Sequence, residues 1–224
     1  NEILVYNKST NELTTALRHG SHTVAVAGYI GESLVFMGSD MKLYGVKENP
    51  VCFVLNDGVA SMKYFYDNSA APSMGSDCKQ GSGFTNKFTE TSMYFLSAIG
   101  VESAIVEIKL ALGVDTTRSE LGTVSCFDLL KDGLLYVSAK KNKLQEIYMY
   151  KEGESIQLSD LNTHIYHERY VAPMEELWFD YEGQSIHGMV LEPYGYEKDK
   201  TYPGILMIHG GPKSIYGKHF SHQM

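Results

Sequence analysis

The feature that most restricts the fold is a recurring pair of short apolar segments. Ile3-Leu4-Val5-Tyr6, Leu43-Tyr44-Gly45-Val46, Ala104-Ile105-Val106-Glu107-Ile108 and Ile147-Tyr148-Met149-Tyr150 resemble one another; aligned on Leu4, Tyr44, Ile105 and Tyr148 they stand 40, 61 and 43 residues apart. Another such segment precedes each of the last three: Leu34-Val35-Phe36-Met37, Met93-Tyr94-Phe95-Leu96 and Leu134-Leu135-Tyr136-Val137. Each outer segment leads through a polar turn into a further apolar stretch, Val51 to Leu55 in one copy and Ile156 to Leu158 in the last. Sixteen Tyr and short runs of Val, Ile and Phe suit strands, and few windows hold a helical period for three turns. A unit of ~40–45 residues with about four strands is the period of a propeller blade. One such sheet cannot cover both its faces, so blades must stack around an axis. The 61-residue step fits the same unit with an insertion, because residues 67–86 are rich in Gly, Ser, Asn and Asp. About three and a half blades do not close a ring of ~4–8. The competing architecture is an antiparallel sandwich, whose strands also recur at short intervals. The sole Trp is Trp178, so the WD dipeptide of one propeller class is missing.

At roughly 150 residues per domain, 224 residues amount to about one and a half domains. Nineteen Lys and Arg against 27 Asp and Glu give a net charge of −8. This argues against a nucleic acid or an anionic membrane as partner, since both select clustered basic residues. No apolar run approaches the ~18 residues that span a bilayer. Cys52, Cys78 and Cys126 are odd in number, widely spaced and free of any C-x-x-C, so neither a disulfide framework nor a structural zinc site is expected. The chain starts at Asn1 without a basic or apolar leader region, and a cytoplasmic location is the expectation. One sequon, Asn7-Lys8-Ser9, is frequent by chance.

The composition changes towards the end. Residues Glu176 to Pro193 read as a β-hairpin, two alternating apolar arms around an acidic, Gly-containing turn. A charged connection, Tyr194 to Pro203, leads to Gly204-Ile205-Leu206-Met207-Ile208. A run apolar at every position predicts a strand buried on both faces, as in an α/β sheet. It ends at His209-Gly210-Gly211-Pro212, where glycines let backbone N–H groups approach a ligand closely. Such amides can stabilise an oxyanion during acyl transfer; the plainer alternative is a tight loop needing left-handed glycines.

In this order of parts the sequence resembles the prolyl oligopeptidase family of serine peptidases, its acylaminoacyl-peptidase-like branch above all. There a propeller feeds an α/β-hydrolase domain through a hairpin D-x-x-G-x-x-I-x-G, which here reads Asp180-Tyr181-Glu182-Gly183-Gln184-Ser185-Ile186-His187-Gly188. Tyr202-Pro203 through His209-Gly210-Gly211-Pro212 is similar to the family's Y-P-x-x-hydrophobic-H-G-G-P signature, and Leu158-Ser159-Asp160-Leu161-Asn162 to the L-T-x-x-N that closes the last blade. The match is specific across residues 156–224 and rests on strand pattern across 1–155. The resemblance implies that the Gly211 amide is an oxyanion-hole donor and that His209 shapes the oxyanion loop rather than serving as the base. It also implies a short peptide substrate, hydrolysis through an acyl-enzyme, and no cofactor.

That chemistry needs a Ser in G-x-S-x-G, followed by Asp and His. Gly31-Glu32-Ser33, Gly100-Val101-Glu102-Ser103, Gly153-Glu154-Ser155 and Gly183-Gln184-Ser185 begin promisingly, but none has Gly at the required second spacing, and all precede His209. In the family the triad follows the H-G-G-P loop, and the sequence continues for twelve residues past Pro212. The expectation is a mainly β chain: a partial propeller of about three to four blades in 1–175, then in 176–224 the first strands of an α/β-hydrolase domain without the nucleophile. Taken alone, these 224 residues are expected not to hydrolyse peptides.

Rival readings are a non-catalytic propeller that binds a partner, an esterase with an H-G-G loop and no propeller, and a metal site. His19 and His22, His164 and His167, and His219 and His222 are each spaced i, i+3, which on a helix can aim two imidazoles at one ion. No H-E-x-x-H accompanies them, and no metal is expected. Tyr64-Phe65-Tyr66 reads as blade packing and Lys140-Lys141-Asn142-Lys143 as a charged hairpin turn.

Overall fold

Antiparallel meanders follow one another along the chain in the computed structural model. It describes residues 1–43, 49–64, 66, 68–70, 74, 76–78, 83–111, 113–210 and 215–222, with the backbone alone at 114 and 115. Strands β1 (Ile3–Asn7) and β2 (Glu12–Leu17) form a two-stranded sheet. Three four-stranded sheets come next, each pairing its strands in chain order. They comprise β3 (Val26–Ile30), β4 (Ser33–Gly38), β5 (Val51–Asn56) and β6 (Val59–Tyr64); then β7 (Asn86–Phe88), β8 (Ser92–Ile99), β9 (Glu102–Lys109) and β10 (Gly113–Arg118); then β11 (Thr123–Leu130), β12 (Gly133–Ala139), β13 (Glu146–Lys151) and β14 (Glu154–Gln157). A short helix α1 (Thr163–Glu168) leads to a hairpin of β15 (Met174–Tyr181) and β16 (Gln184–Leu191). The architecture is that of a partial β-propeller, and among the described residues no sheet closes on itself.

The repeat is real, but one copy of it is displaced. Tyr44, Gly45 and Val46 lie outside the described residues, and the strand that pairs with Leu34–Met37 is β5, with Phe36 opposite Phe53. Val51–Leu55 is thus the third strand of its sheet and not the fourth. Third-position strands begin at Ile3, Val51, Glu102 and Glu146, steps of 48, 51 and 44 residues. The extra length sits in two connections, 39–50 and 65–85, which is why aligning apolar tetrapeptides alone slipped by one strand.

Alternation along the strands explains how the sheets stack. Side chains of successive strand residues point to opposite faces. On β4, Phe36 joins Ile3, Leu17, Val51, Phe53 and Leu55 against the two-stranded sheet. Val35 and Met37, one residue to either side, join Val26, Ile30, Met93, Phe95, Val106 and Ile108 against the next sheet. On β8, Met93 and Phe95 face back while Leu96 turns the other way, to Ile105, Phe127, Leu134 and Tyr136. Each interior sheet is therefore covered on both faces, as the blade argument requires.

The 67–86 insertion is more than a surface loop. Tyr66 is buried in the core between two sheets, donates its hydroxyl to Ser97 Oγ at 2.6 Å and meets Phe95 edge-on; Ala70, Met74 and Ser76 are buried as well. Tyr66 thus packs as expected, whereas Phe65 lies outside the described residues. Lys140 to Lys143 turn the chain between β12 and β13, with Lys140 Nζ 4.2 Å above the Tyr148 ring.

The Leu158–Asn162 motif works as a latch on β13. The Glu146 carboxylate, largely buried, accepts the Ser159 hydroxyl, the Leu161 N–H at 3.0 Å, and the Asn162 N–H and side-chain amide at 2.9 Å each. Asn162 Nδ2 also donates to Gln145 O at 2.7 Å, and the Ile147 N–H to Ser159 Oγ at 2.8 Å. Burial tends to raise the Glu146 pKa, but the donors from Ser159, Leu161 and Asn162 together hold it below the usual glutamate value.

The expected hairpin is present, with Tyr181 opposite Gln184 around Glu182-Gly183. Both turn residues have positive φ, 51° and 79°, the pair of values a type I′ turn requires. Asp57-Gly58 between β5 and β6 does the same at 49° and 79°. The expected strand over Gly204–Ile208 is not formed. Ile205, Leu206 and Ile208 are 91%, 85% and 79% exposed, and the segment carries no sheet pairing. A strand buried on both faces needs neighbours at both edges and cover above and below. Among the described residues β15 and β16 pair with each other alone, and nothing covers the run.

Candidate functional site

Two regions of the chain's end carry chemistry: the loop at His209 and the segment 215–222. His209 and Gly210 are exposed; His209 Nδ1 donates to Gly210 O at 2.8 Å, and its ring meets Tyr216 edge-on at 5.7 Å. Gly211 and Pro212 lie outside the described residues. The loop therefore brings together two of its four expected members.

Residues 215–222 return to the stacked sheets. The Lys218 N–H donates to Val101 O, at the tip of the β8–β9 turn, at 2.9 Å. Its ammonium pairs with Glu176 on β15, and the other Glu176 oxygen lies 3.1 Å from His187 Nε2 on β16. The hydrogen bond from Lys218, with a smaller share from His187, holds Glu176 below the usual carboxylate range. This ion pair ties the hairpin to the sheets through the returning segment. Gly217 packs against the insertion loop: a Cβ there would lie 2.3 Å from Met74 Sδ, so the Met74 side chain would have to move.

Beyond Gly217, His219 is buried with Nδ1 lacking a partner, and burial pushes its pKa down although Asp77 acts to raise it. At His222 the segment meets the insertion loop. The His222 N–H donates to the Asp77 carboxylate at 3.0 and 3.2 Å, while Nδ1 lies 3.3 Å from Asp77 Oδ2 and 3.6 Å from Cys78 Sγ. Burial and then the Asp77 charge raise the Cys78 thiol pKa. Sequence reading missed this cluster because Cys78 and His222 are 144 residues apart and Asp77-Cys78 sits in a stretch of loop composition. The i, i+3 pairing of His219 with His222 is not what assembles it, and His19, His164 and His167 stand exposed elsewhere. Cys52, Cys78 and Cys126 are all unpaired thiols.

No protein-family model matches the chain. Among solved structures, an acylaminoacyl peptidase in complex with Z-Gly-Gly-Phe-chloromethyl ketone superposes on the whole chain with a TM-score of 0.74 at 20% identity, and the chain covers 33% of it. The acylaminoacyl peptidase of Pyrococcus horikoshii gives 0.73 over the same share. The chain resembles prolyl oligopeptidase family peptidases. At this identity the structural likeness speaks for the fold, and curated relatives agree with it in sequence. The uncharacterized peptidase YuxL of Bacillus subtilis is 28% identical over 137 residues, 59% of this chain and 19% of its own length. Dipeptidyl-peptidase 5 of Arthroderma otae is 40% identical over 48 residues, 21% of this chain and 7% of its own. The chain thus spans about a third of the similar solved peptidases and a fifth or less of these curated relatives. Among the described residues no helix is long and apolar enough to cross a membrane.

Proposed function

We propose that this chain is part of a serine peptidase of the prolyl oligopeptidase family. Residues 1–175 supply the C-terminal part of its propeller, and 176–224 open its α/β-hydrolase domain. The whole protein cleaves short peptides through an acyl-enzyme, with the Gly211 amide as an oxyanion donor and His209 shaping the loop. The carrying observation is the order of parts. Stacked four-stranded sheets run into the D-x-x-G hairpin and then H-G-G-P, and the whole chain superposes on an acylaminoacyl peptidase. The hydrogen bond from His209 to Gly210 O favours a loop-shaping role over that of a base. The exposed apolar run Ile205 to Ile208 and the exposed Trp178, Phe179 and Tyr181 of the hairpin suit a sheet and helices supplied by the rest of that domain. Three unpaired thiols suit a reducing, cytoplasmic setting.

A nucleophile in G-x-S-x-G is absent from these 224 residues, so the catalytic Ser, Asp and His are assigned to the remainder of the protein. The test is covalent trapping. A fluorophosphonate should label one serine of the protein made from the whole reading frame and none in residues 1–224. No labelled serine in the whole protein would leave the non-catalytic binding propeller as the better reading.

A further inference from the structure

Among the described residues, Asp77, Cys78 and His222 are the one group of three side chains whose metal-binding atoms gather, all within 4.8 Å of one another. Two arrangements can bring a thiol, an imidazole and a carboxylate together, and the geometry separates them. In a nucleophile relay the thiol and the carboxylate sit at opposite ring nitrogens, one handing its proton to the ring and the other orienting it. Here both face the same atom, His222 Nδ1, so the ring cannot pass a proton between them. Donors around a tetrahedral cation are instead expected to converge. With zinc bond lengths of ~2.3 Å to sulfur, ~2.05 Å to nitrogen and ~2.1 Å to oxygen, tetrahedral angles put S and N roughly 3.6 Å apart and N and O roughly 3.4 Å apart. The observed separations are 3.6 Å and 3.3 Å.

We propose that Asp77, Cys78 and His222 bind a divalent zinc-like cation, with water in the fourth position, that staples the insertion loop between β6 and β7 to segment 215–222. Thiolate plus imidazole selects zinc or cobalt over magnesium or calcium, which take oxygen donors. On binding, the Cys78 thiol gives its proton to solvent and its sulfur lone pair to the metal. The three donors come from two chain segments that the Asp77–His222 backbone hydrogen bonds already hold together, so the site needs little reordering to form. The proposal stands on these side chains and not on the peptidase reading.

Zinc titration into the metal-stripped, reduced chain, followed by calorimetry, should show one equivalent bound. Cys78→Ser, Asp77→Asn and His222→Ala should each weaken it at least tenfold, while His19→Ala leaves it unchanged, all four keeping the parent circular dichroism. The cobalt form should show a thiolate-to-metal charge-transfer band that Cys78→Ser removes. Absence of binding, binding undiminished in the Cys78 and His222 variants, or a cobalt spectrum without the sulfur band would overturn the proposal. The cobalt spectrum of the parent chain decides the matter even where a variant fails to fold.

Discussion

Glu146 carries the most concentrated polar network among the described residues, four donors on one carboxylate. Removing it in Glu146→Ala leaves the Leu161 and Asn162 N–H groups without their acceptor. We expect a loss on the order of 3 kcal/mol, read by urea denaturation, since buried donors stripped of a charged partner cost that much. The pH dependence has a definite sign. The folded-state pKa of Glu146 lies below its ordinary value of 4.5, so its contribution is present above that value and is lost as pH falls through the lower folded-state value. Glu146→Gln should therefore flatten the acid limb of the stability curve relative to the parent chain; an unchanged limb would show that the latch is not the acid-sensitive element. Gly38 makes a second residue-scale case. A Cβ there would lie 1.9 Å from the backbone oxygen of Thr23, which no rotamer change relieves. Gly38→Ala should cost about 1–3 kcal/mol, measured as a lower urea midpoint with unchanged m-value.

At the scale of elements, the stacking of sheets is what mutation can probe. Phe95 is fully buried between two sheets, whereas Leu135 on β12 points to the half-buried outer face of the last one. Phe95→Ala should cost about 3–5 kcal/mol and Leu135→Ala clearly less; equal losses would contradict a stack that ends at this sheet. Elements whose geometry is set locally were legible in the sequence. The Glu182-Gly183 turn with its alternating arms became β15 and β16, and the pairs at Met93–Leu96 with Ala104–Ile108 and at Leu134–Val137 with Ile147–Tyr150 became adjacent strands. What failed depended on partners far along the chain. Val51–Leu55 reads locally as well as a fourth strand as a third, and only its pairing with β4 decides which it is. The run Gly204–Ile208 has the composition of a buried strand but no neighbours to pair with among the described residues, and composition cannot supply them. Asp77 and Cys78 meet His222 through tertiary folding alone, with no local spacing to betray it.

On the scale of the whole molecule, apolar surface is left uncovered on the first sheet and on the hairpin. Leu4, Tyr6 and Leu13 on the first sheet are 47%, 53% and 63% exposed, and the hairpin exposes Trp178, Phe179 and Tyr181. Surfaces of this kind are interfaces by default. In the proposed peptidase the first faces another blade, and the second faces the body of the hydrolase domain. Hydrolysis of a chromogenic short-peptide amide, compared between the protein of the whole reading frame and residues 1–224, tests this directly. The whole protein should turn over the amide, with the activity abolished by the serine-directed fluorophosphonate, and the 224-residue chain should not. Turnover by residues 1–224 alone, or a whole protein that neither cleaves the amide nor reacts with the fluorophosphonate, would contradict it.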